Sequence, residues 1–128
     1  MSGLAEALVG ALTIGALDLP GGWYPLRLPD GCVLPAGTYQ RISAVGPVAH
    51  DGALALRTRR YQLTVYSERY LQGLEAARAL TLALNAVRDT WDGWEVTAFV
   101  ADEAEDIDPE PRGLFRQRVD VMLTSEAP

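Results

Sequence analysis

Residues 56–91, LRTRRYQLTVYSERYLQGLEAARALTLALNAVRDTW, contain the change of period on which the fold turns. From Leu56 to Ser67 apolar and polar residues alternate. Tyr61, Leu63 and Val65 fall on one face and Arg60, Gln62 and Thr64 on the other, the two-residue repeat of a half-buried strand. At Ser67 the period becomes helical. Ser67 is a capping residue, Glu68 follows in the first turn, and Leu71, Leu74, Ala77, Leu80, Leu84 and Val87 recur at helical spacing. Gln72, Glu75, Arg78, Asn85 and Asp89 fall largely on the other side. The turn signal Asp92-Gly93 puts the end of this helix near Trp91.

On the N-terminal side, Thr38 to Val45 reads as a strand ended by Gly46-Pro47. Residues 48–55, with His50-Asp51-Gly52, then make a long hairpin connection, so 38–45 and 56–67 are expected to be antiparallel neighbours. Residues 2–17 form an amphipathic helix capped by Ser2, with Glu6 in its first turn and Leu4, Leu8, Ala11 and Leu12 on one face. Between this helix and the strand, Pro20, Gly21, Gly22, Pro25, Pro29, Gly31, Pro35 and Gly37 mark an irregular connector. On the C-terminal side, Trp94, Val96, Ala98 and Val100 alternate as a third strand. Leu114 to Thr124 is a fourth, burying Phe115, Val119, Val121 and Leu123. The expected architecture is one α+β domain over residues 1–128. Its order is helix, strand, strand, helix, strand, strand, with an antiparallel four-stranded sheet and the helices on one face.

The 128 residues are 48% hydrophobic and 22% charged, a globular composition. Eleven bases, all arginine, stand against seventeen acids, a net charge of −6. The excess is local: Asp102, Glu103, Glu105, Asp106, Asp108 and Glu110 account for all of it, and the rest of the chain is balanced. A chain with no basic stripe is a poor non-specific DNA binder. Cys32 alone makes no internal disulfide, and Cys32 with His50 makes no zinc site. No apolar run approaches the roughly 20 residues of a membrane span. The apolar stretch 7–17 has no basic residue before it, as a secretory signal would.

The sequence carries no phosphate loop, nucleophile elbow or metal-spaced histidine pair, so a cofactor is not expected. His50, the single histidine, reads as a polar hairpin residue, and Cys32 as a partly buried filler with no base beside it. A solvated hairpin tip is the simplest reading of the six acids, with an electrostatic surface and a divalent-cation site as alternatives; their spacing fails the EF-hand pattern. Arg57, Arg59 and Arg60 form a basic cluster at a strand start, suited to a solvated face, to an ion-paired edge, or to meeting a neighbouring copy's carboxylates head to tail. Trp23 and Tyr24 divide evenly between core and partner-anchor readings.

In order and spacing these segments resemble the tail-completion proteins of long-tailed bacteriophages, also called tail terminators or tail-to-head joining proteins. The resemblance rests on Tyr24-Pro25 after the first helix, Leu34-Pro35 leading into Tyr39-Gln40, and His50-Asp51-Gly52 in the hairpin. It continues through the strand from Arg60 to Tyr66 and the alanine-rich helix, then Asp106-Ile107-Asp108-Pro109-Glu110, Gly113-Leu114-Phe115-Arg116 and Val119-Asp120-Val121. Thr64 stands where the family often has an acid, and Cys32 is no family marker. The resemblance implies a non-enzymatic virion protein assembled in host cytoplasm. It implies a ring, commonly hexameric, at the head-proximal end of the tail, contacting tail-tube and head-connector proteins while DNA passes through. The competing expectation is a non-enzymatic adaptor whose acidic hairpin recruits a divalent cation or a basic partner.

Overall fold

The computed structural model describes residues 3–13, 18–45, 57–105 and 113–126. Its elements in chain order are α1 (Leu4–Leu12), β1 (Trp23–Pro25), β2 (Ala36–Val45), β3 (Arg57–Ser67), α2 (Tyr70–Leu84), β4 (Val87–Trp91), β5 (Trp94–Glu105) and β6 (Phe115–Glu126). The strands form one six-stranded sheet in the order β1-β2-β3-β6-β5-β4. Only β1 and β2 run parallel; every other neighbouring pair is antiparallel. The expected antiparallel four-stranded sheet in α-β-β-α-β-β order is therefore wrong. The sheet is mixed and has six strands, and its order in sequence is α-β-β-β-α-β-β-β.

The two additional strands have separate physical origins. β4 occupies the stretch read as the last turns of the second helix. Leu84 and Val87 keep helical spacing, but the helix stops at Leu84 and Ala86 takes a positive φ of 57°. The Asp92-Gly93 turn joins β4 to β5 as a hairpin. Its two central residues have φ of 49° and 84°, the positive values that match the twist of the flanking strands. Trp91 and Trp94 face each other across it.

β1 lies in the stretch read as an irregular connector. There the Gly21 N–H donates to the Pro35 carbonyl (2.9 Å) and the Gly37 N–H to the Gly22 carbonyl (2.9 Å), stitching the segment to β2. A Cβ on Gly21 would sit 1.7 Å from the Val33 carbonyl oxygen, so no larger residue fits that approach.

The helix starts also differ from expectation. Ser2 lies outside the described residues, and α1 begins after Gly3 with no side-chain cap. The described part of α1 ends at Leu12, with Thr13 as its C-cap; residues 14–17 lie outside the description. Ser67 does not cap α2. It is the last, fully buried residue of β3, its hydroxyl donates to the Arg69 carbonyl (2.7 Å), and Arg69 takes the N-cap position.

The core lies between one face of the sheet and both helices. Tyr61, Leu63 and Val65 of β3, Val119, Val121 and Leu123 of β6, and Val96 and Ala98 of β5 form its floor. Leu4, Leu8 and Leu12 of α1 and Ala77, Leu80 and Leu84 of α2 close it from above. Each fully buried Val or Leu contributes about 1.5–3 kcal/mol. Phe115, expected inside, is exposed (37%) and packs edge-on against Tyr70, with ring centroids 5.8 Å apart.

Trp23 is 8% exposed and lies across Gly37, where an added Cβ would come within 2.4 Å of its ring. Gly37→Ala is therefore expected to lower unfolding free energy by about 1–3 kcal/mol, because the ring must move. Gly10, on the exposed side of α1 with open space around its Cα, is expected to do the reverse: Gly10→Ala adds about 1 kcal/mol. Urea denaturation of both variants checks the pair.

Candidate functional site

The six clustered acids do not all belong to a hairpin tip. β5 runs on to Glu105, so Asp102, Glu103 and Glu105 are ladder residues paired with β6. Asp106, Asp108 and Glu110 lie outside the described residues, as does His50. A bulge between Val100 and Asp102 shifts the register by one residue and so decides which way each acid faces. Before it, Val96, Ala98 and Val100 face the helices. After it, Glu103 pairs with Val119 and Glu105 with Gln117 on that same face, while Asp102 pairs with Asp120 on the open face. Asn85, just past α2, holds this irregularity by accepting a hydrogen bond from the Val100 N–H (3.1 Å).

On the helix face the acids are tied to α2. The Thr81 hydroxyl donates to Glu103 Oε1, and Gln117 Nε2 donates to Glu105 Oε2 (2.9 Å). The Tyr70 hydroxyl also donates to Glu105, and this bond, followed by that from Gln117, holds the Glu105 carboxyl below its ordinary pKa. The same contact raises the Tyr70 pKa, because it favours the protonated phenol. These side chains, with Arg78 and Leu82, border a cleft of about 720 Å³ between α2 and the acidic arm.

On the open face Asp102 and Asp120 stand directly opposite each other, a like-charge pair that is unfavourable by itself. Asp102 turns back to accept from the Glu103 N–H (2.9 Å), and Asp120 is neutralised by Arg60. Two nitrogens of Arg60 reach one Asp120 oxygen, at 3.0 and 2.6 Å. Arg60 is thus engaged within its own chain and leaves the set of bases available to a neighbour.

Among the described residues Arg59 makes a long hydrogen bond to Ser125 (3.5 Å), and the Arg57 side chain lies outside them. Arg41 of β2 joins them through register, since Arg41 pairs with Tyr61 and Ala44 with Arg59. Burial raises the pKa of Tyr61, and nearby Arg59 and Arg41 oppose that rise. Arg41 lies far from Arg59 in sequence, and only strand pairing brings the two together.

The arginine end and the acidic arm occupy opposite ends of one sheet. Arg59 pairs with Leu123 and Glu105 with Gln117, six residues apart on β6, or about 20 Å at about 3.3 Å per residue. Trp23 is a core residue and cannot serve as a surface anchor without leaving the fold; Tyr24, half-buried beside it, keeps that possibility. Cys32, partly buried, borders a small cavity with Leu28, Leu34 and Leu114 and reads as apolar filler. Among the described residues no group of three or more His, Cys, Asp or Glu side chains is placed to hold a metal, and no helix is long and apolar enough to cross a membrane.

No protein-family model matches the chain, and no curated protein matches it either.

The Glu105 network has a pH signature. Its folded pKa is depressed, so its stabilising contribution is complete above the ordinary carboxylate range and is lost as pH falls through the folded value. Tyr70→Phe removes the largest cause of the depression. Carbon-detected NMR titration should then show the Glu105 carboxyl moving up toward 4.5, with a shallower acid limb in a plot of melting temperature against pH.

Proposed function

We propose that this chain is the ring-forming subunit of a phage tail-completion complex. The ring caps the finished tail tube, meets the head connector and lets DNA through during ejection. It is a structural rather than catalytic component, housed at the head-proximal end of the tail after assembly in host cytoplasm. The observation that carries the reading is the separation of an acidic arm from an arginine end across one rigid sheet. Opposite charges on opposite ends favour head-to-tail contacts, and such heterologous contacts close into rings when the rotation permits. A rigid sheet suits this task, because the angle between the two contact surfaces sets the copy number. The resemblance in segment order points to six copies.

The residues that meet across the subunit boundary are, on this reading, Arg57, Arg59 and Arg41 on one copy and the acidic arm on the next. Asp102, Asp106, Asp108 and Glu110 are the carboxylates of that contact and, at the inner rim of the ring, also border the channel. A negative channel wall repels the phosphate backbone, so DNA slides past instead of adhering, whereas a basic wall would hold it. Glu103 and Glu105 serve the fold, tied as they are to Thr81, Tyr70 and Gln117. Tail-tube and head-connector proteins are the proposed partners above and below.

The test is neutralisation of the acids assigned to the channel rim in a phage encoding this chain, as Asp102→Asn, Asp106→Asn, Asp108→Asn and Glu110→Gln together. The variant should fold, while electron micrographs show unjoined tails and the infectious titre falls. Arg57→Glu with Arg59→Glu should fail in the same way. Reversing the acids to arginine in that second background should restore rings, because both contact surfaces then change sign. Virions with the four neutralised acids that assemble and eject DNA normally would overturn the proposal.

A further inference from the structure

The outward face of α2 presents a short pattern whose spacing is the same from either end, with opposite charges at the two inner positions. Leu71, Glu75, Arg78 and Leu82 are separated by four, three and four residues, which puts them in one stripe along the helix. Ala77, Leu80 and Leu84 occupy the opposite side and enter the core. Leu71, expected on the apolar face with Leu74, Ala77, Leu80 and Leu84, lies instead on this outward stripe. Leu82 is 83% exposed, the highest value among the large apolar side chains described, and Leu71 is 66% exposed. Glu75 and Arg78 are both exposed, and neither forms an ion pair among the described residues.

The stripe is symmetric about a point between Ala76 and Ala77, near the middle of the helix. A second copy of α2, laid antiparallel with a two-fold axis through that point, would set Leu71 against Leu82 and Glu75 against Arg78, each pair occurring twice. A parallel arrangement in register would oppose Glu75 to Glu75 and Arg78 to Arg78, so charge selects the antiparallel one. We propose that the outward face of α2 is a two-fold docking surface for a second copy of this chain, giving a dimer in solution. The Leu71–Leu82 contacts at the two ends supply apolar burial, and the two crossed Glu75–Arg78 pairs at the centre fix register and direction.

The magnitude follows from the size of the surface. α2 has fifteen residues, about 22 Å at about 1.5 Å per residue, and one helix per copy buries less than the roughly 1,200 Å² of a stable specific interface. The dimer is accordingly weak and concentration-dependent. The two-fold contact is isologous and self-closing, in contrast to the head-to-tail contact proposed for the ring. It uses different residues, so it stands or falls independently of the tail reading.

Sedimentation velocity on the full chain, from about 1 µM to about 500 µM, should show reversible monomer–dimer exchange that is complete toward the upper end. Arg78→Glu brings four acids together at the dimer centre and should weaken association by about tenfold. Glu75→Arg should do the same with four bases. The double variant Glu75→Arg/Arg78→Glu restores opposite charges in the same register and should recover the original affinity, which general loss of folding would not do.

Cysteine cross-linking reads the geometry directly in a Cys32→Ser background. Leu71→Cys with Leu82→Cys should form an intermolecular disulfide on mild oxidation. Either substitution alone should not, because two copies of one position lie at opposite ends of the helix pair, about 16 Å apart along the axis. A chain that stays monomeric throughout the range would overturn the proposal. So would a dimer indifferent to charge reversal, or one cross-linked as readily by the single cysteines.

Discussion

The pairing of β3 with β6 is the constraint on which everything else in this molecule depends. Eleven residue pairs, from Arg57 opposite Ser125 to Ser67 opposite Phe115, join the two halves of the chain along the centre of the sheet. The pair supplies Tyr61, Leu63, Val65, Val119, Val121 and Leu123 to the core floor, so the helices have a surface to cover only once it has formed. Because side chains alternate faces, a slip of one residue would exchange this apolar set for Arg60, Gln62, Thr64, Arg118 and Asp120. The Arg60–Asp120 ion pair on the open face is available only in the observed register, which makes it a second check on the same alignment.

Around that centre the strands are arranged with an approximate two-fold order. β2 and β5 flank the central pair, β1 and β4 form the edges, and each half reads helix, strand, strand, strand. The correspondence is architectural and incomplete: β1 runs parallel to its neighbour, whereas β4 runs antiparallel. Its consequence is that the two charged ends of the sheet are drawn from different halves of the chain. The arginine end collects residues from β2 and β3, and the acidic arm uses β5 alongside β6.

The four strands expected from alternation are all in the sheet, and the two hairpins they make are antiparallel. Their strong period-two patterns are local and need no partner to be recognised. β4 was hidden because Leu84 and Val87 continue the helical spacing, and Asp92-Gly93 is compatible equally with a helix stop and a hairpin turn. What decides between them is the partner: β5 offers Val87–Trp91 a ladder that a helix end would forfeit. β1 was hidden for the opposite reason. Three residues set among prolines and glycines carry no period at all, and their strand character comes from hydrogen bonds to β2. The candidate site was legible as a charge cluster and not as an arrangement. The sequence shows six acids in nine residues, but not the bulge that sends Glu103 and Glu105 toward α2 and Asp102 to the open face. Nor could it show that Arg60 is committed to Asp120, sixty residues away, or that Arg41 stands beside Arg59.

Sequence alone determined the periodic elements and the concentration of net charge in one segment, because each is a property of neighbours within a turn or a strand. Tertiary structure decided the number of strands, their order in the sheet, the fate of Trp23, and the division of charged residues into paired and available ones. Those outcomes depend on contacts between residues distant in the chain. A side chain's exposure and partner are set by what packs against it, and no local pattern contains that information.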